Sequence, residues 1–258
     1  MTEEIISRRG LSATRGGRGE KLAVLIHGLG ANRAVWSRML AIAGDHWPGR
    51  WLAPDLRGHG RSVMHGPYGY AMHAADIAGL IESEEPGNVT LVGHSMGGVV
   101  AALVATGWYG PHVADVAAFG VKLFWTPEEE AKARELSLRP ARAFATRAEA
   151  VDRFLKISGL IGLVDPDSET AASGISGSEG QWQVAMDPRA FGSVGPSIPA
   201  LMKLAAAPLR LAAGARDPMV TLTQMQTIDA AARAIDGAGH NAHWEAPAKV
   251  WDFVNNKN

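Results

Sequence analysis

The sequence predicts an α/β fold, a mostly parallel sheet flanked by helices, interrupted once by a helical insertion. Apolar runs of strand length recur between helical stretches from Leu22 onward. One of these runs, 88–92, passes into an alanine- and leucine-rich helical run, 99–105, through Gly93-His94-Ser95-Met96-Gly97-Gly98. The alternation stops between about Lys122 and Ala207 and then resumes. With 258 residues the chain can bury a full core. The expected division is a core of 1–121 and 208–258 carrying a helical cap of 122–207.

The segment 5–14, followed by Arg15-Gly16-Gly17-Arg18-Gly19, reads as a hairpin arm at the sheet edge. Leu22-Ala23-Val24-Leu25-Ile26 is the first strong strand, and it enters His27-Gly28-Leu29-Gly30. That glycine turn can aim the backbone N–H of Leu29 at a neighbouring site, or it can serve the chain path alone. His27 is expected to hold the loop. Arg50-Trp51-Leu52-Ala53-Pro54 is the next strand.

The run 88–92 must bend sharply to become a helix, so the positions flanking the bend have no room for side chains and glycine is required. Ser95 then stands at the apex, and Met96 places its N–H at the helix N-terminus, where orphan donors and the dipole favour negative charge. A glycine-serine segment can also be a plain turn or a phosphate loop. No Gly-x-x-x-x-Gly-Lys-[Ser/Thr] occurs, which argues against the phosphate reading.

The residues 113–121 form another strand pattern. In the insertion, Thr126-Pro127-Glu128-Glu129 reads as a helix start with a capping box. Helical pattern continues through 141–163, and the glycine-serine stretch 173–180 reads as a mobile loop. The strand 209–213 precedes Asp217, which can accept a histidine Nδ1–H or simply begin a turn before Pro218. His240 follows on Gly237-Ala238-Gly239, a loop from which an imidazole can reach the top of the sheet and act as base and then acid. His243 is its rival and lacks the flanking glycines, so a surface or helix-packing role is expected for it. The pair at i and i+3 has no third ligand at metal spacing, and no metal or cofactor is expected.

A net charge of −1, from 25 basic and 26 acidic residues, leaves no electrostatic footprint for nucleic acid or an anionic membrane. The expected partner is a small molecule. The absence of cysteine excludes disulfides, thiolate catalysis and zinc–cysteine sites. The N-terminal residues lack a leader pattern and no apolar run reaches membrane-span length, so a cytoplasmic monomer or homodimer is expected.

Five motifs together resemble the α/β-hydrolase superfamily: His27-Gly28, Asp55-Leu56-Arg57-Gly58-His59-Gly60-Arg61-Ser62, Gly93-His94-Ser95-Met96-Gly97-Gly98, Gly214-Ala215-Arg216-Asp217 and Gly239-His240. They fall in that family's order, Ser then Asp then His, along essentially the whole chain. The resemblance implies Ser95 as nucleophile, His240 as base, Asp217 as its orienting acid, and the N–H groups of Leu29 and Met96 as oxyanion hole. It also implies that the segment 55–62 stabilises the loop under the site and that His59 is no catalyst. A serine rather than an aspartate at the elbow argues against dehalogenase and epoxide hydrolase activity.

The activity so implied is hydrolysis of carboxylic esters of small to medium, largely apolar substrates through an acyl-enzyme. The alternatives are a carbon–carbon bond hydrolase of ring-cleavage products, a lactonase, or a hydrolase-like receptor with slow turnover. Phe124, Trp125, Phe144, Phe154, Leu155, Leu160, Ile161 and Trp182 could roof an apolar pocket or pack the insertion onto the sheet. Arg139, Arg142, Arg147, Arg153 and Arg189 could hold a substrate carboxylate or decorate surface helices.

Overall fold

The computed structural model describes residues 2–82, 84, 86–193 and 197–255. Ten strands are present among them: β1 Glu3–Ile6, β2 Ser12–Gly17, β3 Leu22–Ile26, β4 Arg50–Pro54, β5 Val89–His94, β6 Asp115–Phe119, β7 Ile175–Ser176, β8 Gln183–Val184, β9 Leu209–Gly214 and β10 Arg233–Ile235. Eight form one sheet in the order β1-β2-β4-β3-β5-β6-β9-β10, and β7 and β8 pair separately. The N-terminal hairpin joins antiparallel at one edge, through β1 with β2 and β2 with β4. From β4 across to β10 every pairing is parallel.

All five residues of β3 are buried, as a central parallel strand covered on both faces requires. Alternate side chains divide between two layers. Leu22, Val24 and Ile26 pack with the helices Tyr70–Ile81 and Met96–Val104, and Ala23 and Leu25 pack with Trp36, Met39 and the helix Pro247–Val254. Chain order reverses between the neighbours β3 and β5, and in open α/β sheets ligands bind at the carboxyl ends of strands at such a switch point. The loop 27–30 and Ser95 leave those two carboxyl ends.

Between β6 and β9 the chain departs from the sheet. Helix Pro127–Ser137 starts at the expected capping box, with Glu129 N–H donating to Thr126 Oγ1 and Thr126 N–H to Glu129. The expectation of helix through 141–163 is narrowed to Arg147–Ile157, because Thr146 and Glu149 form a second capping box that starts a new helix there. Ahead of it, Phe144 pairs in an isolated bridge with Trp182. The glycine-serine stretch 173–180 is also not a uniform loop. Ser173 ends the helix Glu169–Ser173, and Ile175 and Ser176 pair with Val184 and Gln183. The helix Ile198–Met202 returns to the core, where Ile198 and Met202 are buried in the same layer as the helix Met96–Val104. Among the described residues no helix is long and apolar enough to cross a membrane.

Candidate active site

Ser95 has φ 52 and ψ −119, and among the described residues it is the one non-glycine with positive φ. The bend is over-determined by its surroundings. Ser95 N–H donates to Phe119 O of β6 at 2.9 Å, and Gly98 N–H donates back to Ser95 O at 3.0 Å. A Cβ on Gly97 would lie 2.0 Å from Ile26 O, and one on Gly93 would lie 2.5 Å from Gly97 O, so neither position admits a side chain. Met96 begins the helix and its N–H has no intrahelical acceptor.

The loop after β3 lies directly against this elbow, since a Cβ on Gly28 would stand 3.2 Å from Ser95 Cβ. Two buried imidazoles hold it. His27 Nε2 accepts from Leu56 N–H at 2.9 Å, which leaves its Nδ1–H to donate to Gly28 O at 2.8 Å. His59 Nε2 accepts from Gly30 N–H at 3.1 Å, and its Nδ1–H donates to Arg57 O at 3.1 Å. Burial lowers the pKa of His27 to about 4 and that of His59 to about 3, so both stay neutral in these acceptor roles. With Gly30 N–H taken by His59, Leu29 N–H is left without a protein acceptor among the described residues.

The segment carrying His59 is itself pinned through Asp55. Its carboxylate accepts from Arg33 N–H at 2.7 Å and Arg61 N–H at 2.9 Å, while Ser62 Oγ donates to Asp55 O at 2.6 Å. Burial pushes the Asp55 carboxyl upward against the pull of those bonds.

His240 and Asp217 are joined by a 2.8 Å bond between Nδ1 and Oδ2, with the Asp217 side chain fully buried and that of His240 15% exposed. The other Asp217 oxygen accepts from the N–H groups of Met219 at 2.8 Å and Val220 at 3.2 Å, which fixes the carboxylate plane. The His240 backbone is held from the sheet side by His94, whose Nε2–H donates to His240 O at 3.0 Å. The chain after it is tied to the insertion. Asn241 Nδ2 donates to Gly159 O at 2.8 Å and Ser158 O at 3.3 Å, and Trp244 Nε1 donates to Leu163 O at 2.9 Å.

Ser95, His240, Leu29 and Met96 all line one cavity of about 240 Å³. The structure thus brings Ser95 and His240 to shared walls; no hydrogen bond joins them among the described residues. His243 lies elsewhere. It is fully buried in the core, its ring 4.5 Å from that of His94 and 4.8 Å from Trp36, so the surface alternative for it is removed. Neither ring nitrogen has a partner, and burial lowers its pKa to about 3, the state of an inert packing group.

Of the eight aromatic and aliphatic side chains that could roof a pocket, Trp125 alone lines this cavity. Phe154, Leu155 and Leu160 pack the insertion onto the core, and Phe124 and Ile161 face solvent. None of the five arginines reaches it. Arg139, Arg142 and Arg153 line a second cavity that shares Ile157 and Phe191 with the first, Arg189 pairs with Asp187, and Arg147 lies 3.9 Å from Asp167. Sequence reasoning missed Tyr70, Lys122, Lys156, Phe191 and Ser193 as walls of the site. Lys122 alone had a usable signal, its place just beyond the end of β6. Among the described residues no group of three or more His, Asp or Glu side chains converges as a metal ligand set.

A model of the alpha/beta hydrolase family matches residues 23–253. The chain belongs to the alpha/beta hydrolase family. Lipase LipV of Mycobacterium tuberculosis is 35% identical over 88 residues, covering 34% of this chain and 32% of that protein. The pimeloyl-[acyl-carrier protein] methyl ester esterase of Pectobacterium carotovorum is 36% identical over 89 residues, again 34% of this chain and 32% of the relative. The chain therefore matches about a third of the length of these curated relatives. Among solved structures, the thioesterase domain from the curacin biosynthetic pathway superposes with a TM-score of 0.79 at 20% identity, covering 99% of each chain. The esterase Rv0045c of M. tuberculosis gives 0.78 at 20% identity, covering 99% of this chain and 91% of that one. These two likenesses speak for the fold of this chain.

Proposed function

We propose that this hydrolase cleaves carboxylic esters of small to medium, largely apolar acids through an acyl-enzyme on Ser95. The observation that carries the reading is the 2.8 Å bond from His240 to the buried Asp217, made by an imidazole that shares a cavity with the strained Ser95. That bond places the Nδ1 proton toward Asp217 and leaves Nε2 unprotonated, the tautomer a general base needs. Ser95 Oγ attacks the ester carbonyl and its proton passes to His240 Nε2. The carbonyl oxygen becomes an oxyanion, taken by the N–H groups of Leu29 and Met96, and Asp217 stabilises the imidazolium. Collapse of the intermediate breaks the bond to the alcohol, which leaves with the proton from His240. Water then enters by the same steps in reverse roles and releases the acid.

The segment 122–207 serves as a cap, supplying Lys156, Ile157 and Phe191 to the cavity wall. The names of the two curated relatives, a lipase and a methyl ester esterase, support ester cleavage over the other bond types. The arginine clamp that would favour a carbon–carbon hydrolase is not in place, since among the described residues the cations that line the cavity are Lys122 and Lys156.

A fluorophosphonate probe tests the reading. The expected result is one adduct per chain, located on Ser95 by mass spectrometry and absent from Ser95→Ala, together with repeated turnover of p-nitrophenyl esters. Label on another residue, or full activity in Ser95→Ala, overturns it. A single turnover followed by a stall points instead to a slow receptor.

A further inference from the structure

The Ser95 cavity contains polar atoms that nothing among the described residues satisfies. Trp125 Nε1 and Ser193 Oγ are both buried without a hydrogen-bond partner, and both residues line the cavity. Tyr70, 7% exposed and also in the wall, has a hydroxyl with no partner among the described residues. A buried donor left unpaired is costly, so the two in this wall, with the Tyr70 hydroxyl beside them, imply a partner that arrives from outside the chain.

The electrostatics of this wall define that partner. Lys122 stands 5.0 Å over the Trp125 ring, and its ammonium is already paired with Glu129. Burial, with the charge of Glu130 adding to it, raises the Tyr70 phenol pKa to about 12, which keeps it a protonated donor. The free groups are uncharged donors, and the cation beside them, Lys122, is already neutralised by Glu129, so this wall offers hydrogen bonds without an unpaired charge and suits a neutral carbonyl oxygen.

The same residues also mark which half of the substrate meets them. Tyr70, Val99, Val121 and Ile198 are buried in one apolar layer with Trp125 packed against it, and they form the closed end of the cavity. The exposed side chains Lys156 and Met219 mark the open end. In the acyl-enzyme the alcohol leaves while the acyl chain stays bound to Ser95, and the enclosed wall suits the part that stays. We propose that Trp125, Ser193 and Tyr70 recognise a neutral carbonyl oxygen within the acyl chain, making the preferred substrates esters of oxo acids rather than of plain fatty acids. This rests on the esterase reading above.

The test compares p-nitrophenyl octanoate, its isomers bearing one ketone along the chain, and the mono-p-nitrophenyl ester of octanedioic acid. At the best ketone position kcat/KM is expected to exceed that of octanoate by about tenfold or more, since one rescued donor is worth about 1.4 kcal/mol. The dioate ester should be the poorest of the three. Trp125→Phe and Ser193→Ala should each draw the ketone-to-alkane ratio toward one, a change that loss of packing alone would not make. Equal rates for all chains, a preference for the dioate, or a ratio unmoved in both variants overturns the proposal. If no ester is hydrolysed, the esterase reading fails separately. Calorimetry on Ser95→Ala then decides the recognition: about tenfold tighter binding of the oxo-octanoic acid than of octanoic acid sustains it, and equal binding ends it.

Discussion

Ser95 occupies a backbone conformation that costs a residue with a Cβ on the order of 1–3 kcal/mol, and the protein bears that cost at the position of the proposed nucleophile. Glycine has no such penalty, so Ser95→Gly should melt higher than Ser95→Ala while both lack activity. Calorimetric Tm values that rank the two the other way would mean that the strain is relieved locally. The pairing of His240 with Asp217 makes a second prediction. Asp217→Asn should fold normally yet lose on the order of 10⁴ in kcat, the magnitude seen when a serine protease loses its tautomer-fixing aspartate; a loss below about tenfold would assign that role to another group. His240→Ala should be inactive and stable. His243→Ala should do the reverse, retaining turnover while losing about 2 kcal/mol in urea unfolding as a cavity opens beside Trp36 and His94.

The helix Met96–Val104 is fixed in place by closeness as much as by apolar packing. A Cβ on Gly97 would run into the carbonyl oxygens of Ile26 and His27, so Gly97→Ala must push the helix off β3 and with it the Met96 N–H. The variant should unfold at markedly lower urea and react poorly with the fluorophosphonate even where it remains folded; wild-type labelling would show that the helix can shift without consequence. This element was legible in the sequence because its signals are local: an apolar strand, glycines at fixed spacing and an alanine-rich run. The Thr126 capping box was legible for the same reason. The stretch 141–163 was not, since its apolar residues face the core from one helix, a bridge and a turn in succession, and periodicity does not register a cap that restarts the chain. β10 is three residues long and shows no pattern of its own. In the candidate site, the glycine-framed residues that line the cavity are marked by their order along the chain, whereas Tyr70, Lys156 and Ser193 reach it through contacts far apart in sequence. No local rule points to them.

Five imidazoles, of His27, His59, His73, His94 and His243, are held below their ordinary pKa by burial. Above the unfolded value of about 6.5 they are neutral in both states and leave stability unchanged. As the pH falls through that value the unfolded chain takes up protons that the folded chain refuses, and stability drops by up to about 1.4 kcal/mol per pH unit for each group until the folded pKa values of about 3 to 4 are reached. The urea midpoint should therefore fall steeply from pH 7 to pH 5, and a flat profile would mean that these rings are protonated in the fold. At the same scale, the bonds from Asn241 and Trp244 to the carbonyls of Ser158, Gly159 and Leu163 couple the chain beyond His240 to the cavity wall in the insertion. In the language of hydrogen exchange, 158–164 and 237–245 belong to one cooperative opening unit, so their slowest amides should share a single free energy of exposure. Asn241→Ala should split that unit in two, with the insertion side exchanging first and the segment under His94 retaining its protection. The loop of His240 and the wall that faces it would then have separate lifetimes.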